Sequence, residues 1–152
     1  MKTVLINSCN FGSTGNIMLE IAETAENGGY TAAVCYPQSR DNSRKQTEKD
    51  FIIGTRFSRN IHLQLAGITG LNGCFSYCST LKLLKKLDKF KPDIIHLHNL
   101  HNCYINLSLL FKYIKKHNIK TVWTLHDCWS FTGHCPHFDM IGCDKWKTGC
   151  YG

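Results

Sequence analysis

Acidic residues are scarce in this chain: 11 Asp and Glu stand against 18 Lys and Arg, a formal net charge of +7 over 152 residues. Proline is rarer still, with three in all. No apolar run approaches the roughly 20 residues that a membrane-spanning helix needs. The N-terminus, Met1-Lys2-Thr3-Val4-Leu5-Ile6-Asn7, carries one basic residue and a short apolar run that Asn7 interrupts. That run is too short for a signal-peptide core and reads as a first strand, so a cytoplasmic location is expected. Neither G-x-G-x-x-G nor a Walker A motif occurs, which removes the dinucleotide and nucleoside-triphosphate folds that depend on them. G-x-S-x-G is missing too, which argues against a hydrolase triad. There is no internal repeat and no low-complexity tract.

The length suits one domain with a genuine core. A basic balance favours nucleic acid, anionic headgroups or phosphate-bearing substrates. No aromatic-interleaved strand surface argues for RNA, so no nucleic-acid partner is expected. Lys82, Lys85, Lys86 and Lys89 lie at helical spacing opposite Leu81, Leu84 and Leu87. They read first as a solvated helix face, and second as a peripheral contact with an anionic membrane. Nine cysteines are present without a secretion signal, and Cys9, Cys35, Cys74, Cys78 and Cys103 read as reduced thiols.

Strand and helix patterns alternate along the chain. An apolar run over 3–8 precedes a helix with Ile17, Met18, Ile21, Ala22 and Ala25 on one face, ended by Gly28-Gly29. A second strand spans 30–36 and closes at Pro37; a polar loop follows over 38–50, then a short strand at Phe51-Ile52-Ile53. Between 56 and 74 a helical pattern is expected to be broken by Gly67, Gly70 and Gly73. A helix over 80–90, a strand over 93–98, a helix around Leu107, Leu110, Phe111 and Ile114, and a strand over 120–125 complete the pattern. The fold class is therefore α/β, a Rossmann-like parallel sheet with flanking helices. Residues 1–127 form that body, and 128–152 a Cys- and aromatic-rich segment without clear periodicity.

In such sheets ligands bind outside the carboxyl ends of the strands. Three strand ends carry unusual chemistry. The first leads into Gly12-Ser13-Thr14-Gly15, where Ser13 or Thr14 could cap a helix whose N-terminus favours a phosphate; a plain tight turn is the competing reading. The second is Ile94-Ile95-His96-Leu97-His98-Asn99-Leu100-His101, with His96 and His98 on one face of the strand. Polar ligand contacts are favoured there over a metal, because no carboxylate or Cys stands nearby as a third ligand. The third is Trp123-Thr124-Leu125-His126-Asp127, a His-Asp pair whose side chains point oppositely on an extended chain.

These segments resemble the N-terminal half of a family 4 glycosyltransferase of the bacterial capsule and exopolysaccharide type. The likeness rests on Gly12 to Gly15, on Pro92-Asp-Ile-Ile-His-Leu-His-Asn99, and on Trp123-Thr-Leu-His-Asp-Cys-Trp-Ser-Phe-Thr-Gly-His-Cys135. Gly142-Cys-Asp-Lys-Trp-Lys-Thr-Gly-Cys150 continues it. The resemblance implies a GT-B architecture, two Rossmann-like domains facing across a cleft. The N-terminal one meets the acceptor and the C-terminal one holds the nucleotide-sugar. It implies retention of anomeric configuration and no cofactor for the chemistry. By position, Gly12 to Gly15 would lie near the donor diphosphate and acceptor, and His126 near the transferred sugar as the catalytic residue. His98 and Asn99 would line the cleft floor, and Asp127 would join the substrate contacts. The partners implied are a nucleotide-sugar and a saccharide or lipid-linked acceptor, at the inner membrane face. The family's donor-binding paired glutamates belong to a C-terminal donor domain that these residues do not include, so this half is expected to be inactive alone. A non-catalytic, phosphate- or metal-binding module acting as a partner subunit is the reading from another class. A zinc enzyme built on His96, His98 and His126 is a third.

Cys135, Cys143 and Cys150 are spaced C-x7-C-x6-C, looser than strong zinc pairs. A structural zinc, free thiols in a loop and a disulfide all remain open for them. Trp129, Phe131 and Trp146 interleave with this tail and read as a small satellite core.

Overall fold

Short apolar runs rich in Val, Ile and Leu cannot be solvated on either face, so they pair side by side with helices covering both. In a computed structural model of the chain, which describes residues 1–39, 47–133 and 135–149, five such runs form one sheet. They are β1 (Lys2–Ile6), β2 (Thr31–Pro37), β3 (Phe51–Ile53), β4 (Ile94–Leu97) and β5 (Lys120–Trp123). The order is β3-β2-β1-β4-β5 and every pairing is parallel. The helices are α1 (Gly12–Asn27), α2 (Arg56–Thr69), α3 (Tyr77–Phe90) and α4 (Leu107–Lys116), with the one-turn pieces α5 (Trp129–Thr132) and α6 (Lys145–Thr148) in the tail. The expected α/β class with a parallel sheet and flanking helices is what the chain adopts.

Strand alternation divides the core. Leu5, Ala32, Val34 and Tyr36 face Met18 and Ala22 of α1. Val4, Ile6, Ala33, Cys35, Ile95 and Leu97 face the other way, onto Leu83 and Leu87 of α3 and Leu110, Tyr113 and Ile114 of α4. Right-handed crossovers put α1 on one side and α3 and α4 on the other, because the chain reverses direction across the sheet between β3 and β4. Beside α1, the outer strands are left open. Ile94, His96 and half-exposed Val122 line an apolar trough there with Ile17, Ile21 and Tyr30.

Several boundaries differ from the expected ones. Gly67 does not break α2, which runs on to Gly70, where φ is +71°. One helical glycine costs only about 1 kcal/mol relative to alanine, and a capping box at Thr55 and Ser58 supports the start of the helix. Helix α3 begins at Tyr77, a turn before the expected Thr80, from a Ser76 held at φ +57°. Strands β4 and β5 stop at Leu97 and Trp123, before His98 and Leu125. The segment after Asp127, read as having no clear periodicity, holds α5, α6 and a 3-10 turn, Asp139–Ile141. Most of the polar loop over 38–50 lies outside the described residues.

Close packing at the start of α1 depends on Gly15. A methyl group there would stand 2.7 Å from the Asn10 carbonyl carbon. Gly15→Ala should therefore lower stability by about 1–2 kcal/mol despite its better helix propensity. Urea unfolding would read this, and a more stable variant would refute the close approach.

Candidate functional site

Register decides which residues meet. Ile6 pairs with Leu97, and Leu97 with Trp123, so β1, β4 and β5 end level with one another. The ladder reaches one step further, with the His98 N–H donating to the Ile6 carbonyl (2.9 Å) and the Thr124 N–H to that of Leu97 (2.9 Å). Asn7, wholly buried, follows β1. Its Oδ1 accepts from the N–H groups of Ser8 (2.9 Å) and Asn99 (3.2 Å), and its Nδ2 donates to Thr14 Oγ1 (3.5 Å). One carboxamide thus ties β1, the start of α1 and the loop after β4.

Three imidazoles stack above these ends. The rings of His96 and His98 lie 4.4 Å apart, and those of His98 and His126 5.2 Å apart at 15°. His98 Nδ1 meets His126 Nε2 at 2.9 Å, and His96 Nε2 meets Thr124 Oγ1 at 2.8 Å. The Trp123 indole N–H donates to the His98 carbonyl (2.9 Å). Burial pushes His98 down to about 4, with repulsion from His96 and His126 adding to it. Burial, then His126, lowers His96 also. His98 is therefore neutral at pH 7, and a single N–H joins it to His126. In a neutral His126, donation to His98 leaves Nδ1 a bare acceptor, whereas acceptance from His98 leaves the proton on Nδ1. His98 Nε2 is buried with no partner among the described residues.

Asp127 turns away from His126. Its Oδ2 pairs with His101 Nε2 (2.9 Å), and its Oδ1 accepts from the Trp129 N–H (2.9 Å). The Asn99 carbonyl accepts from the Tyr104 hydroxyl (2.8 Å), which steadies the loop. His98, Asn99, His101, His126, Asp127 and Trp129 together line a narrow cleft. The structure thus brings His98, Asn99, His126 and Asp127 to one place.

The glycine segment departs from its expected form. Gly12-Ser13-Thr14-Gly15 is the first turn of α1, not a loop before it, and Phe11 occupies the N-cap position without a side-chain cap. Neither Ser13 nor Thr14 caps the helix: Thr14 faces back to Asn7 and Cys9. Gly12 and Ser13 are exposed. Beside them Asn10 is buried, and both polar atoms of its carboxamide lack partners among the described residues. An uncapped helix N-terminus next to an unsatisfied amide suits an anion.

The tail assembles differently. Phe131, Phe138 and Trp146 pack ring on ring, with centroids 5.0–5.9 Å apart. Trp129 leaves that group and packs on the main core. Cys135 and Cys143 are half-buried free thiols, whereas Cys150, like His134, lies outside the described residues. Among the described residues no three His, Cys, Asp or Glu side chains are grouped to hold a metal ion. His96 and His98 stack, while His98 and His126 lie edge to edge through their hydrogen bond, so the three rings do not converge on one point. Asn7, Asn10 and the His101 pairing with Asp127 were not foreseeable as site features: an asparagine after a strand looks like any turn residue until its burial is known.

The model of the family described as Glycosyltransferase Family 4 matches residues 14–146. The chain is also 44% identical over 64 residues to WcaC of Escherichia coli (strain K12), a protein named for glycosyl transfer in colanic acid biosynthesis. That stretch is 39% of this chain and 15% of the relative's length.

The neutral, buried His98 makes stability depend on pH. Its folded pKa lies below its ordinary value of 6.5, so the unfolded chain binds the proton more readily. The stabilisation is present above about pH 6.5, falls as pH drops towards about 4, and changes no further below that. The loss from this group is about 3 kcal/mol. Urea midpoints recorded across that range should fall on acidification, and less steeply in His98→Asn. A flat wild-type profile would contradict the burial of a neutral imidazole.

Proposed function

Because the chain belongs to Glycosyltransferase Family 4, we propose that it forms the acceptor-side wall of a retaining glycosyltransferase. The reaction moves a sugar from a nucleotide-sugar to a saccharide or lipid-linked acceptor in surface polysaccharide synthesis. The bond from the anomeric carbon to the diphosphate breaks, a bond from that carbon to an acceptor oxygen forms, and the acceptor hydroxyl's proton passes to the departing diphosphate oxygen.

One observation carries this reading: neutral His98 holds His126 beside the cleft at the ends of β4 and β5. His126 Nδ1 has no hydrogen bond among the described residues. It is suited to a sugar hydroxyl, as donor or acceptor according to which imidazole carries the shared proton. The uncapped start of α1 with Asn10 would receive the diphosphate oxygens, and Asn99 and Asp127 would contact the acceptor. The acceptor-wall role is consistent with a cleft too narrow to enclose both substrates.

Transfer is read with radiolabelled nucleotide-sugars and free or lipid-linked saccharide acceptors, using protein that carries this domain. His126→Ala should lower kcat by about a hundredfold while changing acceptor KM far less. An unchanged kcat removes His126 from the chemistry. On their own the 152 residues should bind acceptor and turn over no donor, and measured turnover by them would refute the division of labour.

A further inference from the structure

The cleft holds a second imidazole with a carboxylate behind it. His101 Nε2 meets Asp127 Oδ2 at 2.9 Å, and Asp127 is itself fixed because its Oδ1 accepts from the Trp129 N–H (2.9 Å). Both residues line the cleft with His126 and Asn99. His126 is also held at Nε2, by His98. The cleft thus presents two imidazoles, each tied at Nε2 and each with an Nδ1 that makes no hydrogen bond among the described residues. His101 Nδ1 is not shut away from water as His98 Nε2 is. The two supports differ in kind. An imidazole can give or take the shared proton, whereas a carboxylate only accepts. The proton of a neutral His101 therefore stays on Nε2, and its Nδ1 keeps a bare lone pair. Joining the loops after β4 and β5 does not require this pair, since the Trp123 indole on the His98 carbonyl and His98 on His126 already do so.

We infer that His101 determines acceptor specificity: its Nδ1 accepts a hydrogen bond from one hydroxyl of the saccharide acceptor, and Asp127 is the positioning residue that keeps the ring in that tautomer. A hydroxyl can donate to a bare ring nitrogen, whereas a ring or glycosidic oxygen cannot, so the contact reads one free hydroxyl. Leu125 and Trp129 line the same cleft and offer apolar surface to the C–H face of a sugar ring. No proton is transferred at this contact. The role rests on the transferase reading and deepens it, adding His101 to the acceptor contacts of Asn99 and Asp127.

The test is the acceptor KM of protein that carries this domain, with radiolabelled nucleotide-sugar donors. The acceptor probes are decyl glucoside, decyl galactoside and the same two sugars on decyl diphosphate, and the probe used fastest by wild type carries the comparison. His101→Ala should raise acceptor KM by about tenfold, with much smaller changes in kcat and donor KM. His101→Asn places an amide oxygen where Nδ1 stood and should recover most of that loss. His101→Gln keeps a donor for Asp127 but nothing at Nδ1, and should not recover it. One deoxy form of the probe should lose the same factor with wild type and nothing further with His101→Ala. A staple between loops would behave in the opposite way. Rescue by His101→Gln and not by His101→Asn, with a lower urea midpoint in the unrescued variants, overturns the inference. An unmoved acceptor KM in His101→Ala overturns it too, and leaves the transferase reading intact. Transfer by wild type to none of the probes removes the transferase reading and this role with it.

Discussion

Everything at the working end of this molecule hangs on the carboxamide of Asn7. Three loops leave the sheet there, and each would otherwise end in unpaired backbone groups shielded from water. A carboxamide offers an acceptor with two lone pairs and two donor hydrogens. Asn7 spends the acceptor on the Ser8 and Asn99 N–H groups and a donor on Thr14, and its own N–H donates to the Cys35 carbonyl (3.0 Å). Four segments are thereby held from one wholly buried position. An aspartate there would add a buried charge, and a leucine would strand several backbone groups; either costs more than a single hydrogen bond contributes.

From that tie the histidine stack follows. With the loop after β4 pinned, the parallel register brings His98 level with the residues leaving β5, and the Trp123 indole secures the His98 carbonyl. Imidazoles packed this closely repel one another when charged. Burial and mutual repulsion act in the same direction on His96 and His98. His98 is therefore held neutral, which spares its buried ring the desolvation cost of an ion. Asp127, the nearby carboxylate, pairs with His101 on the outer side.

Much of this was legible in the residues. Parallel strands buried on both faces must be largely apolar runs, and β1, β2 and β4 were visible for that reason, whereas β5 is an exposed edge strand marked by its β-branched and aromatic residues. The strand-end rule then pointed to His98, Asn99, His126 and Asp127 before any coordinates. What stayed hidden depended on local geometry that patterns do not encode. Gly12 to Gly15 looked like a loop because glycine is rare inside helices; yet Gly15 lies there because the helix start passes too close to Asn10 for a side chain. Gly67 looked like a break because propensity was weighed without the capping box that offsets it. Asp127 was written beside His126, but the chain curls after β5 and hands it to His101.

The two surfaces of the domain answer to different constraints. Around the cleft, polar side chains are buried and nearly all satisfied, and the exceptions, Asn10 and His98 Nε2, sit at the strand ends where a ligand could complete them. On α2 the relation is reversed: apolar side chains are exposed, and the contacts beneath them are polar. Folding alone selects for neither arrangement, since each forgoes stabilisation that an ordinary core and surface would supply. Both lie at the same end of the sheet, because α2 starts where β3 stops and the cleft opens where β4 and β5 stop. The cleft and the start of α2 thus share the carboxyl end of the sheet, while at its amino end the Lys2 N–H donates to the Asp93 carboxylate.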